Sequence, residues 1–174
     1  GALNDSTRAR GTIRGVGDES EEIDNILTGE METVYSYGEY LTKYVKEINE
    51  KGAIPVLIAP IPRNKWNEEG RIPYNDDSYG GWAKEIAKRE SVMFINLNHK
   101  LADAMTRMGE ENVIDVIFWK HDHTHTTAEG AVLSASLVVE GIKENPNSPL
   151  NNYLLKDYPS QAIVSFVEAA KQVK

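Results

Sequence analysis

Ile54-Pro55-Val56-Leu57-Ile58-Ala59 is a short, continuously apolar run closed by Gly52 on one side and Pro60 on the other. A run of that length and composition predicts a strand buried on both faces, as in a parallel sheet covered by helices. Pro55, which has no N–H to give, fits only at the first turn of its pairing. Upstream, Val34, Tyr37, Leu41, Tyr44, Val45 and Ile48 follow the spacing of one helix face, and Gly52 supplies the stop. Downstream, Pro60 to Ser78 is a long polar stretch leaving the carboxyl end of the strand, the end at which open α/β sheets bind ligands.

The same alternation continues along the chain. Trp82, Ala83, Ile86 and Ala87 mark a short helix, Val92 to Asn96 a second buried strand, and Leu97, Leu101, Met105 and Met108 a helix stripe with Asn98 near its start. Val113 to Trp119 reads as a strand or a turn of helix. Ala128, Ala131, Ala135, Val138 and Ile142 mark a further helix, broken by Asn145-Pro146-Asn147-Ser148-Pro149. A last helix carries Ile163, Phe166, Val167 and Ala170. Residues 1–32 show no period and read as loop, with Arg8, Arg10 and Arg14 followed by Asp18, Glu19, Glu21, Glu22 and Asp24. The pattern implies an α/β domain with a parallel sheet and helices on both faces. Only two strands are legible for five or so helices, so the opening strands are expected on the N-terminal side, upstream of Gly1.

A length of 174 residues is enough for one ordinary domain and short for two. The formal net charge of −8 and the sequence pI near 5.1 exclude a basic nucleic-acid or anionic-membrane footprint. There is no cysteine, hence no disulfide and no thiolate metal site, and no apolar run has the length of a membrane span.

Three of the four histidines fall in His121-Asp122-His123-Thr124-His125, just before Thr126-Thr127-Ala128-Glu129-Gly130. A carboxylate three residues before a histidine can accept from Nδ1 in one tight turn and leave Nε2 free as a base, so Asp122 and His125 are the candidate catalytic pair. Thr126 and Glu129 have capping-box spacing and predict that the following helix starts there. His121, His123 and His125 alternate and in an extended segment would share a face suited to a metal. No carboxylate-rich or cysteine partner motif recurs elsewhere, so no metal or other cofactor is expected, and His121 and His123 read as exposed loop residues. In the polar stretch after the first strand, Arg63, Asn64, Trp66 and Arg71 are candidates for sugar binding: an indole stacks on a pyranose face and a guanidinium holds a carboxylate bidentately. A polar surface loop around a core tryptophan accounts for the same residues.

Five short stretches, in order, resemble the SGNH (GDSL-type) hydrolases, and within them the rhamnogalacturonan acetylesterase-like carbohydrate esterases. They are Leu3-Asn4-Asp5-Ser6-Thr7-Arg8-Ala9-Arg10-Gly11-Thr12, Tyr37-Gly38-Glu39-Tyr40-Leu41 with Lys43-Tyr44, Pro62-Arg63-Asn64-Lys65-Trp66, Tyr79-Gly80-Gly81-Trp82-Ala83 and Asp122-His123-Thr124-His125-Thr126. The resemblance implies a three-layer α/β/α fold with a flavodoxin-like parallel sheet, here lacking its N-terminal strands. On that reading residues 1–174 are one partial domain, 1–32 a lid-like or frayed loop and 146–174 a C-terminal helical extension. It further implies a secreted or periplasmic serine esterase that removes acetyl groups from pectic polysaccharide, with His125 as base and Asp122 as its orienting partner. The family's Gly-Asp-Ser and Gly-x-Asn-Asp motifs are not recognisable. Asn4-Asp5-Ser6-Thr7 has no strand to deliver it as a nucleophile elbow, so the serine is expected upstream and the chain alone should be nearly inactive. An N-terminal segment or a second chain would complete the sheet. The alternative is a non-catalytic sugar-binding or interaction remnant of that fold.

Overall fold

The computed structural model describes residues 12–25 and 27–155. The expected terminal helix around Ile163, and Ser6, Arg8 and Arg10, lie outside the described residues. The chain forms a mixed α/β structure that divides into two compact units: the described residues up to Ala59 with Asp76–Phe94, and Pro60–Asn75 with the described residues from Ile95 onward.

The first unit opens with an antiparallel hairpin, β1 (Ser20–Asp24) and β2 (Met31–Tyr35), with Ile23 opposite Glu32 and Val34 opposite Glu21. This corrects the reading of residues 1–32 as loop throughout. Ile23 and Val34 are diagonal neighbours on one face and the hairpin's buried apolar residues. The rest of β1, Ser20 and three acidic residues, is exposed, so no apolar alternation announces it. The register is held instead by the Asn25 side chain, which accepts from Leu27 N–H at 2.9 Å and donates to Glu32 at 2.7 Å, with Gly29 at φ +74° closing the turn.

Helix α1 (Tyr37–Glu50) follows directly, capped by Ser36, whose Oγ accepts from Glu39 N–H at 3.0 Å. Val34, which the spacing assigned to this helix, is in β2. Gly38 is the residue that lets α1 sit down: a Cβ there would lie 2.5 Å from Val16 Cα. Helix α2 (Tyr79–Arg89) is tied to the same surface by Arg89, which donates to Val16 O at 3.1 Å and Thr42 Oγ1 at 2.7 Å. Tyr37, Tyr79 and Trp82 pack their rings at centroid separations of 5.0–6.0 Å. Gly81 is required because a Cβ would meet Asp76 O at 1.8 Å.

Strands β3 (Val56–Ile58) and β4 (Met93–Ile95) flank α2 in sequence and pair in a two-stranded sheet. Both are shorter than the apolar runs that announce them. The expectation of a strand buried on both faces fails for β3: Ile58 is 40% exposed, Val56 and Leu57 are half-buried, and Ile54, just before the strand, is 68% exposed. Burial needs a covering layer as well as apolar side chains, and the described residues do not supply one here.

In the second unit, α3 (Leu97–Met108) and α5 (Ala128–Lys143) pack around Leu101, Met105, Val113, Ile117, Phe118, Leu133 and Leu137. The cap of α3 is Asn96, whose side chain accepts from His99 N–H at 3.3 Å. Asn98, fully buried, instead holds the Pro60–Asn75 loop: its Nδ2 donates to Pro60 O at 3.2 Å and its Oδ1 accepts from Asn75 N–H at 3.1 Å. Val113 to Trp119 is neither strand nor continuous helix. The short α4 (Glu110–Val113) leads into a turn with Asp115 at φ +60° and Phe118 bridged to both Ile114 and Thr126. Along α5 the buried residues are Gly130, Leu133, Ser136, Leu137, Gly141 and Ile142, while Ala128, Ala131 and Ala135 are exposed. The helix is apolar nearly all round, so its spacing does not reveal which face is covered. It ends at Lys143, before the Asn145–Pro149 breaker and a 3-10 turn at Pro149–Tyr153.

Candidate active site

The helix α5 starts one residue later than the capping box suggests. Its cap is Thr127, whose Oγ1 accepts from Gly130 N–H at 3.1 Å and donates to Val116 O. Thr127 N–H also donates to Ile117 O at 3.0 Å. These bonds select Thr127 over Thr126, because they seat the cap on the Val113–Phe118 turn. Gly130 allows the close approach: a Cβ there would lie 2.2 Å from Ile117 O. Thr126 pairs with Phe118, so the histidine loop is fixed to the core at its downstream end.

Within that loop Asp122 closes on His125. Asp122 Oδ1 accepts from Thr124 N–H at 2.7 Å and His125 N–H at 2.9 Å, and Oδ2 accepts from His125 Nδ1 at 2.7 Å. The carboxylate accepts a hydrogen bond from Nδ1–H, which in the neutral imidazole fixes the tautomer and leaves Nε2 as the unprotonated nitrogen. The His125 side chain is 78% exposed, so Nε2 is open to an incoming group. The backbone N–H groups of His125 and Thr124, then the imidazole, hold the Asp122 carboxyl down at about 2.

A depressed carboxyl pKa stabilises the folded loop above the ordinary value of 3.8, and that contribution is lost as pH falls through about 2. A side-chain carbon NMR titration should therefore place the Asp122 midpoint well below those of ordinary carboxylates, with the loop loosening only between about pH 4 and 2. A midpoint near 4 would mean that the three donors do not hold this carboxylate.

The second histidine of the loop has a partner that the sequence does not announce. His123 Nδ1 lies 2.7 Å from Asn64 O, while Asn64 N–H donates to His123 O at 3.0 Å. This reciprocal pair docks the Pro60–Asn75 loop on the histidine loop; His123 is exposed, as expected, and is bonded through Nδ1 as well. Asn64 is buried, and its Oδ1 accepts from Trp66 Nε1 at 2.9 Å; Trp66 packs on the α3–α5 core. Asn64 and Trp66 thus brace the loop, whereas Arg63 and Arg71 are exposed. His121 is exposed, and no cluster of three or more metal-ligating side chains occurs among the described residues.

Comparison with known proteins gives this geometry a context. The chain is 36% identical over 126 residues to the probable rhamnogalacturonan acetylesterase YesY of Bacillus subtilis, covering 70% of this chain and 57% of that protein. It is 30% identical over 132 residues to the rhamnogalacturonan acetylesterase RhgT of the same organism, covering 69% and 56%. The chain is related to the rhamnogalacturonan acetylesterase family. The Emericella nidulans rhamnogalacturonan acetylesterase is 29% identical over 126 residues, 72% of this chain and 50% of that one. The chain thus spans about half the length of the curated acetylesterases it matches. Among solved structures, the Bacillus subtilis protein YxiM superimposes with a TM-score of 0.56 at 23% identity, over 61% of this chain and 30% of that one, a likeness of fold. No family profile matches the chain.

Proposed function

We propose that this chain carries the base half of a carbohydrate esterase that hydrolyses O-acetyl esters on rhamnogalacturonan, as the names of its relatives suggest. The observation that carries this reading is the Asp122–His125 pair, bonded through Nδ1 with Nε2 left open. His125 Nε2 takes the hydroxyl proton of a serine as its oxygen attacks the acetyl carbonyl carbon. It then gives that proton to the sugar oxygen as the C–O bond breaks. A water, deprotonated by the same nitrogen, releases acetate and restores the serine. Asp122 stays ionised and holds the imidazolium that forms between the two transfers. The serine belongs, on this reading, to a segment upstream of the present sequence, and the protein acts outside the cytoplasm. Among the described residues no helix is long and apolar enough to cross a membrane.

The same reading places β3 and β4 in the parallel sheet of a three-layer SGNH-type domain. It is supported by the β3–α2–β4 succession and by the bare apolar side chains of Ile54 and Ile58, which an upstream segment or a second copy would cover. On this reading Arg63, exposed and next to the docked Asn64, meets the substrate.

Acetate release from acetylated rhamnogalacturonan by the full-length protein tests the activity. Asp122→Asn should lower it by about 10³–10⁴-fold, because an amide cannot hold the imidazole in the required tautomer. An Asp122→Asn protein that deacetylates at the parent rate sinks the mechanism. A parent protein that binds the polymer and releases no acetate would favour the sugar-binding remnant.

A further inference from the structure

The loop that docks on His123 also builds a groove against α3. Asn67 and Arg71 close a turn, with Asn67 N–H donating to Arg71 O and Arg71 N–H to Asn67 Oδ1, both at 2.9 Å. Ile72 is buried behind it and donates its N–H to Thr106 Oγ1 at 3.1 Å. Tyr74 then forms one wall. Its ring stacks on His99 at 3.7 Å and 13°, and its hydroxyl donates to Asp103 Oδ1 at 2.6 Å, so the ring is fixed in orientation while 43% of the residue stays exposed. The groove encloses about 270 Å³. That is below the roughly 300 Å³ at which sites for drug-sized ligands begin, and suits a single ring.

Its chemistry is that of a sugar site. The C–H face of a pyranose is apolar and matches an aromatic ring held flat, while its rim of hydroxyls matches planar groups that offer two donors or acceptors side by side. Glu69, Asp103 and Arg71 supply such groups around Tyr74, and the Arg71 guanidinium has no hydrogen-bond or ion-pair partner among the described residues. Two carboxylates against one guanidinium leave the groove net negative. A uronate would bring a further negative charge into it, whereas a neutral ring would not.

We propose that this groove is a subsite for a neutral pyranose ring: in the rhamnogalacturonan reading, on which only the choice of polymer rests, the rhamnosyl residue and not the galacturonosyl one. Arg71 then serves hydroxyl groups instead of clamping a uronate. Calorimetric titration of the full-length protein with rhamnogalacturonan backbone tetrasaccharides and with oligogalacturonides of equal length tests this. The backbone fragments should bind at least about 10-fold more tightly. Tyr74→Ala should remove most of that preference, and Asp103→Asn should narrow it by admitting the uronate. Arg71→Ala, at an exposed position where folding is not at stake, should weaken the backbone fragments several-fold. Equal affinity for the two series, no binding of the backbone fragments, or parent affinity in both Tyr74→Ala and Arg71→Ala would overturn the subsite. The binding readout is independent of chemistry. If deacetylation survives the loss of His125, the esterase reading fails while these affinities stand, and the reverse result fails the groove alone.

Discussion

Replacing His125 by alanine should reduce acetate release by the full-length protein by about 10⁴–10⁶-fold, with little change in the affinity for polymer. The size follows from what is removed. In the proposed mechanism, without Nε2 no group takes the serine proton during attack, and none returns it to the leaving oxygen. The side chain is 78% exposed and its described hydrogen-bond partner is Asp122, so its truncation creates no cavity. The melting temperature should stay within about 2 °C of the parent. Combining His125→Ala with Asp122→Asn should cost little beyond His125→Ala alone, because the carboxylate acts through the imidazole and has nothing to orient once it is gone. Steady-state kinetics on the two single variants and the double variant would check this. Multiplicative losses, or a His125→Ala protein with intact kcat, would show that the pair does not act as one unit.

The part of the site legible in the sequence is the part made by neighbours in the chain. Asp122 and His125 are three residues apart, and one Asx-type turn brings the carboxylate to two backbone N–H groups and the ring nitrogen. The clamp between His123 and Asn64 spans 59 positions, and neither residue carries a signal that names the other. Tyr74 and His99 meet for a reason equally invisible in one dimension: buried Asn98 fixes both ends of the Pro60–Asn75 loop to α3. Among the elements, α2 and α3 follow their apolar spacing, while α1 buries Gly38, Thr42 and Val45 and leaves Tyr44 and Ile48 of the expected stripe exposed; the hairpin is not announced because β1 is polar and exposed apart from Ile23. The apolar run at Ile54–Ala59 predicts full burial, yet composition gives the tendency of a strand to be covered and not the identity of what covers it. The shift of the α5 cap from Thr126 to Thr127 has the same origin, since both residues can cap and only the contact with Val116 and Ile117 decides between them.

That contact makes the core beneath the histidine loop a sensitive point for stability. Phe118 is fully buried in the α3–α5 cluster, its carbonyl accepts from Asp115 N–H at 2.7 Å, and its backbone bridges Thr126, just after the candidate base. Truncating it to alanine should destabilise the protein by about 3–5 kcal/mol, the range for a buried aromatic side chain whose site collapses incompletely. That is a large fraction of the roughly 5–15 kcal/mol that holds a typical domain together. Calorimetry should show a fall in melting temperature of about 10 °C or more. The consequence should reach the site as well, because a turn that has lost its anchor no longer fixes the segment leading from Asp122 to Thr127. In the folded fraction of Phe118→Ala, the Asp122 carboxyl should then titrate above the value of about 2 that its three donors now impose, moving toward 3.8. A stability loss under about 1 kcal/mol would place the core elsewhere than around Phe118. A full loss of stability with an unchanged Asp122 midpoint would show instead that the Asx turn holds its geometry without support from the core.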